Sequence, residues 1–358
     1  MRTVKSVYKT ARGIGAAFGI AMVASAYLNV LIAQAGMTPM PGMDKGTDSS
    51  QTTAMRSMKG APLPFGIMIG QAATWMIGFQ YMFEKSDGML DGTGSVREAD
   101  VLHQFQTTPT DMTMQTHMGM IMYAPTERFT LMAMLPYIKM SMGELHRDGT
   151  RSIERSTGIG DLEVRGLYSV YATKDLHHRM LVSFGTGIPT GSVNHRDAEG
   201  ARLEYPMQLG SGTGSLLPGV IYLGRRLPWS WGADWTSTVP LGKNQYGYRQ
   251  GDRHESQMWV ARQLTQWVNV SMSARNELWG NTRGSDAQLD PTDEPTKDPS
   301  RQGGERLNAV LGATFSPPNR LFKGQQFLVQ GDLPAIQSLD GPQLKRSYMV
   351  DVAWQWEF

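Results

Sequence analysis

The stretch Ser347-Tyr348-Met349-Val350-Asp351-Val352-Ala353-Trp354-Gln355-Trp356-Glu357-Phe358 decides how the chain is read. Tyr348, Val350, Val352, Trp354, Trp356 and Phe358 fall on one parity, and Ser347, Met349, Asp351, Ala353, Gln355 and Glu357 on the other. Side chains alternate faces along a strand, so one face is wholly apolar and the other mostly polar. A soluble sheet buries such a face under other elements. A transmembrane barrel turns it toward lipid, with aromatic residues at the water boundary.

Composition narrows the choice. Charged residues make up 18% of the 358 residues, below the roughly 25% usual in soluble globular proteins. Mean hydropathy is nevertheless −0.33, as expected when apolar residues are diluted by strict alternation. The net charge of +2 argues against a nucleic-acid partner. With no cysteine there is neither a disulfide framework nor a thiolate metal site. No motif for a cofactor is present.

The front of the chain reads as an export signal covering residues 1–35. Arg2, Lys5, Lys9 and Arg12 form a positive region, residues 14–32 are mostly apolar, and Ala33-Gln34-Ala35 is a small-x-small cleavage site. Residues 36–70 form a Met- and Pro-rich leader or plug. There Met37, Met40 and Met43 recur at every third residue. Closely spaced thioethers suit Cu(I), but the whole chain is rich in Met, and a plain flexible leader accounts for the pattern.

Residues 71–358 fall into amphipathic segments. Trp75, Ile77, Phe79, Tyr81 and Phe83 share one face, and so do Phe129, Leu131, Ala133, Leu135 and Tyr137. The connections alternate between short ones such as Pro125-Thr126-Glu127-Arg128 and long polar ones such as residues 85–110, with turn signals at Asp87-Gly88 and Asp91-Gly92. About twelve strands result, each near the 9–11 residues that cross a bilayer at a tilt. Open edges are not tolerated in lipid, so the sheet must close. The expected fold is therefore all-β: a transmembrane antiparallel up-and-down barrel behind a signal peptide and a flexible leader.

If the apolar parity faces lipid, the opposite parity lines the lumen. It offers Glu84, Gln115, His117, Glu163, Arg165, Asn269, Arg275, Glu277, Asp351 and Gln355 as candidate wall residues of a solute path. Mixed charges inside a barrel must pair or hydrate, so they either line a conduit or fill the interior. In residues 111–124, Met112, Met114, Met118, Met120 and Met122 share one parity, read as lipid-facing, which leaves Gln115 and His117 inward. An enzymatic alternative rests on His254 and Ser256, a possible base and nucleophile on one strand face, but no third partner is identifiable. His177 and His178 read as solvated turn residues.

Two further features carry a resemblance. Trp354, Trp356 and Phe358 resemble the terminal assembly signal of bacterial outer-membrane barrels. The runs Thr108-Pro109-Thr110-Asp111-Met112-Thr113-Met114, Met122 to Tyr137, and Gly158-Ile159-Gly160-Asp161-Leu162-Glu163-Val164 resemble the meta-pathway phenol-degradation family of outer-membrane barrels. The resemblance runs from about Ala61 to Phe358. It implies an outer-membrane location, contact with membrane lipid, insertion by the barrel-assembly machinery through the last strand, and uptake of small aromatic or hydrophobic solutes. Many members carry a His- and Met-rich run before the first strand. Here that region reads Phe65-Gly66-Ile67-Met68-Ile69-Gly70-Gln71-Ala72, without His. The expected function is a channel or transporter for small solutes, with a structural or adhesive barrel acting through its loops as the alternative.

Overall fold

Strand alternation requires that each pass have one lipid-compatible face and that every backbone N–H and C=O find a partner. The computed structural model, which describes residues 72–358, meets both demands. The signal peptide, the leader and Met37, Met40 and Met43 lie outside the described residues. In chain order the strands are β1 (Thr74–Gly92), β2 (Gly94–Val96), β3 (Thr107–Thr126), β4 (Phe129–His146), β5 (Arg151–Ile159), β6 (Leu162–Ala172), β7 (His178–Ile188), β8 (Ser215–Leu216), β9 (Gly219–Arg226), β10 (Trp229–Pro240), β11 (Tyr248–Arg249), β12 (Arg253–Gln263), β13 (Val268–Trp279), β14 (Arg283–Gly284), β15 (Gly304–Phe315) and β16 (Gln325–Glu357). One short helix, α1 (Glu98–Leu102), follows β2. Among the described residues no helix is long and apolar enough to cross a membrane.

The pairing path β1-β3-β4-β6-β7-β9-β10-β12-β13-β15-β16 returns to β1, and every link is antiparallel. These eleven elements cannot close an all-antiparallel ring as single passes, because the directions would clash at the seam. The last element resolves the conflict. β16 pairs with β15 through residues 327–339 and with β1 through residues 339–357, so it doubles back. Gly341, with φ of 108°, sits at the reversal. The two arms touch through Gln355 Nε2 to Gln326 Oε1 at 2.7 Å and Gln337 Nε2 to the Arg346 carbonyl at 2.9 Å. The ring thus has twelve staves. β5 continues β6 as one interrupted stave, since both pair with β4. At the seam Trp75 and Phe358 exchange both backbone hydrogen bonds, at 3.0 and 2.9 Å.

Several strands run past the bilayer. The outward aromatic face of β1 covers Trp75 to Phe83, about the length that spans the hydrocarbon. The strand nevertheless continues to Gly92, for 19 residues in all. Asp87-Gly88 is accordingly a register irregularity rather than a chain reversal, and Asp91-Gly92 begins the tight hairpin to β2. Residues 143–157, polar enough in sequence to suggest a long connection, form the β4–β5 hairpin.

The outward face is largely apolar: Phe184, Met272 and Leu311 are each 60% exposed or more. Such a belt on a closed ring belongs in a bilayer, and the barrel is of the outer-membrane type. One strand reads inside out relative to its sequence. On β3, Thr116, Met120 and Met122 are buried inside, whereas Gly119 and Ile121 are exposed. Gln115 and His117 share that outward parity. Gln115 pairs with Phe83, and the His117 ring sits 5.0 Å from Tyr81 and 6.3 Å from Tyr137, on the aromatic outer face. Neither residue lines the lumen. The cause is a register shift between Tyr123 and Thr126 in the β3–β4 hairpin. Pro125 lies at that shift and has no N–H to give the ladder, and a one-residue slip moves every side chain to the other face. A second shift, between Ser169 and Tyr171, turns Tyr171 outward as well.

The face assignment predicts an asymmetry between neighbours on β13. Met272→Arg puts a charge into lipid, at a cost of roughly 2–4 kcal/mol near the midplane. Ser271→Arg places the same charge on the inner wall. Heat-modifiable migration of membrane fractions should show much less folded barrel for Met272→Arg than for Ser271→Arg. The reverse order would mean that β13 is inside out.

Candidate functional site

The lumen is built in three tiers. Nearest the short turns lies a partial apolar collar, which β13, β15 and β16 do not join. Met76, Met122, Met132, Leu181, Leu223 and Trp259 project inward from six different strands into one buried cluster. Each sits a few residues from a strand end at the short-turn side, so the collar is narrow along the barrel axis.

Farther along, one side of the wall carries charge. Glu277, 2% exposed, is the hub. Its Oε1 receives Arg346 Nη1 at 2.7 Å and Asn308 Nδ2 at 2.8 Å, and its Oε2 receives Arg253 Nη2 at 2.6 Å. The guanidinium of Arg306 stands 3.9 Å away. Arg346 reaches on to Glu84 at 2.7 Å. Arg275 pairs with Asp332 at 3.1 Å and lies 3.5 Å from Glu255. Asp351 accepts from Gln80 Nε2 at 3.1 Å. These groups lie on the consecutive elements β12, β13, β15, β16 and β1. They form a stripe of paired charges along one side. Charges removed from water must be paired in this way, since a lone one would cost several kcal/mol.

Glu84, Arg275, Glu277 and Asp351, singled out from sequence, therefore meet in this stripe. Glu163 and Arg165 do not join it: they pair with each other at 2.9 Å on β6, across the ring. Asn269 is buried on the inner wall below the stripe. Arg253, Glu255, Arg306, Asn308, Asp332 and Arg346 were missed. The parity of Leu307 and Leu311, and of Val329 and Leu333, could have flagged Arg306, Asn308 and Asp332, since each falls on the parity opposite to these outward apolar residues. Arg346 lay beyond the expected start of the last strand.

The third tier is a cap made by long connections that fold inward. Residues 189–214 bring Leu203, Met207 and Leu209 onto Met140 and Met142 of β4. Residues 241–252 and 280–303 join through the β11–β14 pair, and Tyr205, Tyr248 and Leu289 pack together. Arg202 and Asp286 form a buried ion pair at 3.2 Å, and the Arg202 guanidinium lies 3.5 Å from the Tyr246 ring centre. Asp161, between β5 and β6, anchors the first loop. It accepts the N–H of Gly191 at 2.9 Å, the N–H of Ser211 at 2.8 Å and the Ser211 hydroxyl at 2.6 Å. A Cβ on Gly191 or Gly210 would come within 2.9 Å of that carboxylate, so the approach needs glycine at both places. Beneath the cap is a cavity of about 410 Å³ lined by Asp161, Glu163, Tyr205, Thr238, Arg253 and Trp279, among others.

His254 and Ser256 do not meet as nucleophile and base. Both lie on the outward parity of β12, opposite to the buried Trp259 and Ala261. His254 Nδ1 contacts Ser237 Oγ at 2.8 Å, and its ring stacks on Trp235. His177 lies beside Asp175 at 2.9 Å, and His178 opens β7 with Nδ1 2.8 Å from the Tyr222 hydroxyl. On the last strand the Trp354 indole donates to Gln325 Oε1 at 3.0 Å, and Trp356 and Phe358 pack together on the outer surface.

No family model matches the chain, and no curated protein sequence is similar to it. Solved structures do resemble it. An outer membrane channel from Pseudomonas putida F1 superposes with a TM-score of 0.59 at 12% identity, over 83% of this chain and 100% of that one. The translocator domain of the autotransporter NalP from Neisseria meningitidis gives 0.42 at 13% identity, over 86% and 98%. At 12% identity the likeness to the Pseudomonas putida F1 channel is one of fold: a closed antiparallel barrel of the outer-membrane type.

The charge stripe makes a stability prediction. Arg346→Met leaves the buried carboxylate of Glu277 and the partly buried one of Glu84 without their shared guanidinium. Breaking a buried ion pair from one side costs about 3–5 kcal/mol. Urea unfolding of the barrel in lipid vesicles should shift to lower urea by a matching amount. An unchanged midpoint would show that water, rather than Arg346, balances these carboxylates.

Proposed function

We propose that the protein is a passive outer-membrane channel for small, weakly charged solutes with apolar surface, aromatic compounds among them, and that bare ions pass poorly. The apolar collar carries this reading. Its Met, Leu, Ile and Trp side chains, on β1, β3, β4, β6, β7, β9 and β12, offer an ion nothing in exchange for its hydration shell, and hydrophobic constrictions shut to ions by dewetting. An uncharged aromatic solute loses little water there and gains dispersion contact with flexible thioethers. The stripe above is internally paired, which leaves little net field to favour either sign of charge. The cavity of about 410 Å³ under the cap is of a size that holds one small organic molecule. Glu163 and Arg253 on its wall supply polar contacts that would orient such a solute.

Two further observations support the reading. The Pseudomonas putida F1 barrel of like fold is an outer membrane channel, and the motifs around Asp161 and in residues 108–137 resemble the phenol-degradation barrels. The long loops fold inward onto the wall rather than projecting as an adhesive surface. The last strand, with Trp354, Trp356 and Phe358 at its end, is the segment we assign to the barrel-assembly machinery.

Planar-bilayer recordings and uptake of labelled phenol by cells with an intact outer membrane test the proposal together. The wild type should conduct ions weakly yet speed phenol uptake. Met120→Ser with Met132→Ser and Leu223→Ser should raise ion conductance severalfold by wetting the collar. A large ohmic conductance in the wild type, unchanged in the triple variant and without faster phenol uptake, would contradict it.

A further inference from the structure

Three carboxylates converge where the capping loops meet the barrel wall. Glu144 lies near the loop end of β4 and points inward with Met140 and Met142. Glu204 precedes the single 3-10 turn Tyr205–Met207 of the first capping loop. Glu294 precedes the 3-10 turn Pro295–Lys297 of the last long loop. One oxygen from each lies within 4.8 Å of the others. The three residues are 5%, 3% and 0% exposed.

Their hydrogen-bonding capacity is largely unused. Glu144 Oε2 accepts from Ser152 Oγ at 3.0 Å, but Glu144 Oε1, Glu204 Oε2 and both oxygens of Glu294 are buried without a donor. Buried charged oxygens left in this state are costly, and the fully enclosed Glu294 carboxylate faces the other two. Lys297 does not satisfy them. Its Nζ donates to Asp293 at 2.6 Å and stays 3.9 Å from Glu294 and 4.0 Å from Glu204. One ammonium against Glu144, Glu204, Asp293 and Glu294 leaves three negative charges in excess.

We propose that Glu144, Glu204 and Glu294 bind a hard divalent cation of the calcium class, which clamps two inward-folded loops to the β4 wall. Calcium takes six to eight oxygen ligands at about 2.3–2.6 Å. Ligand oxygens on one such ion can therefore stand up to about 5 Å apart, a bound that the 4.8 Å spread of this cluster meets. Three carboxylates supply between three and six oxygens, and water completes the shell. An all-oxygen set without imidazole or thiolate selects against zinc and copper. Without a cation the cluster must take up protons instead: burial, and next the Glu144 charge, push Glu204 up to about 7, and burial and then Glu204 push Glu294 well above the usual carboxylate range. The cation replaces that protonation and joins three segments far apart in sequence.

The binding claim does not depend on the transport reading. Isothermal titration of the detergent-solubilised full chain, stripped with chelator, should show one saturable site for CaCl2, weaker for MgCl2, together with a rise in melting temperature. The site should be lost in Glu294→Gln and in Glu204→Gln, and retained in Glu98→Gln on the exposed helix α1. Trypsin cleavage of the wild type at Arg202 and Lys297 should slow in calcium, a readout that needs no variant. Absence of both a binding isotherm and trypsin protection in millimolar calcium would overturn the proposal. So would binding that is unchanged in the Glu204→Gln, Glu294→Gln double variant, or a site that prefers magnesium.

Discussion

Everything in this molecule follows from one constraint: inside lipid, a strand's backbone groups can be satisfied only by neighbouring strands, all the way round. The seam between Trp75 and Phe358 is where that requirement is met last. It also explains the doubling back of β16. An all-antiparallel ring needs an even number of passes, and the turn at Gly341 supplies the twelfth. Once the ring is closed, alternation leaves each strand no choice about its two faces: one set of side chains goes to lipid and the other to the lumen.

The lumen must then accommodate whatever the inward parity carries, and here it carries two kinds of side chain. Methionines and aliphatic residues near the short turns associate with each other and exclude water. Buried carboxylates and guanidiniums on β12 to β1 are held in place by mutual pairing around Glu277. The loops close the third side, anchored by the Asp161 carboxylate and the Arg202–Asp286 pair. On the proposed transport reading, a solute moving along the lumen would meet a polar chamber, a self-neutralised stripe and an apolar neck in turn. That sequence of environments would favour molecules that tolerate both and penalise ions most at the neck.

The fold was legible because its strongest strands are unambiguous. Trp75 to Phe83, Leu131 to Tyr137 and Val350 to Phe358 place aromatic and aliphatic residues on one parity and polar or small ones on the other, and the barrel turns the first set outward. β3 was not legible in the same way. Its methionines look like a lipid face, and counting back from the short turn at Glu127-Arg128 would pair Thr126 with Phe129 and set Met122 against Ala133. The register shift at Pro125 sets Met122 against Met132 instead, which turns the methionines inward and carries Gln115 and His117 out. Glu84, Arg275, Glu277 and Asp351 could be placed from parity alone because β1 up to Glu84, β13 and the final arm of β16 from its partner Met349 onward have no shift that reverses them. The inward folding of residues 189–214 and 280–303 has no local signature: it depends on partners such as Tyr205 with Leu289 and Arg202 with Asp286, brought together only by the closed ring.

The inversion of β3 decides whether the neck is apolar, so it is the point to measure. The chain has no cysteine, which allows nitroxide labels to be placed singly at each position from Gln115 to Met122 in the reconstituted barrel. Accessibility to oxygen, which concentrates in lipid, should peak at His117, Gly119 and Ile121 and fall at Thr116, Met120 and Met122. Maxima at Met118, Met120 and Met122 would place the methionines in lipid, remove the collar and contradict the account of the lumen.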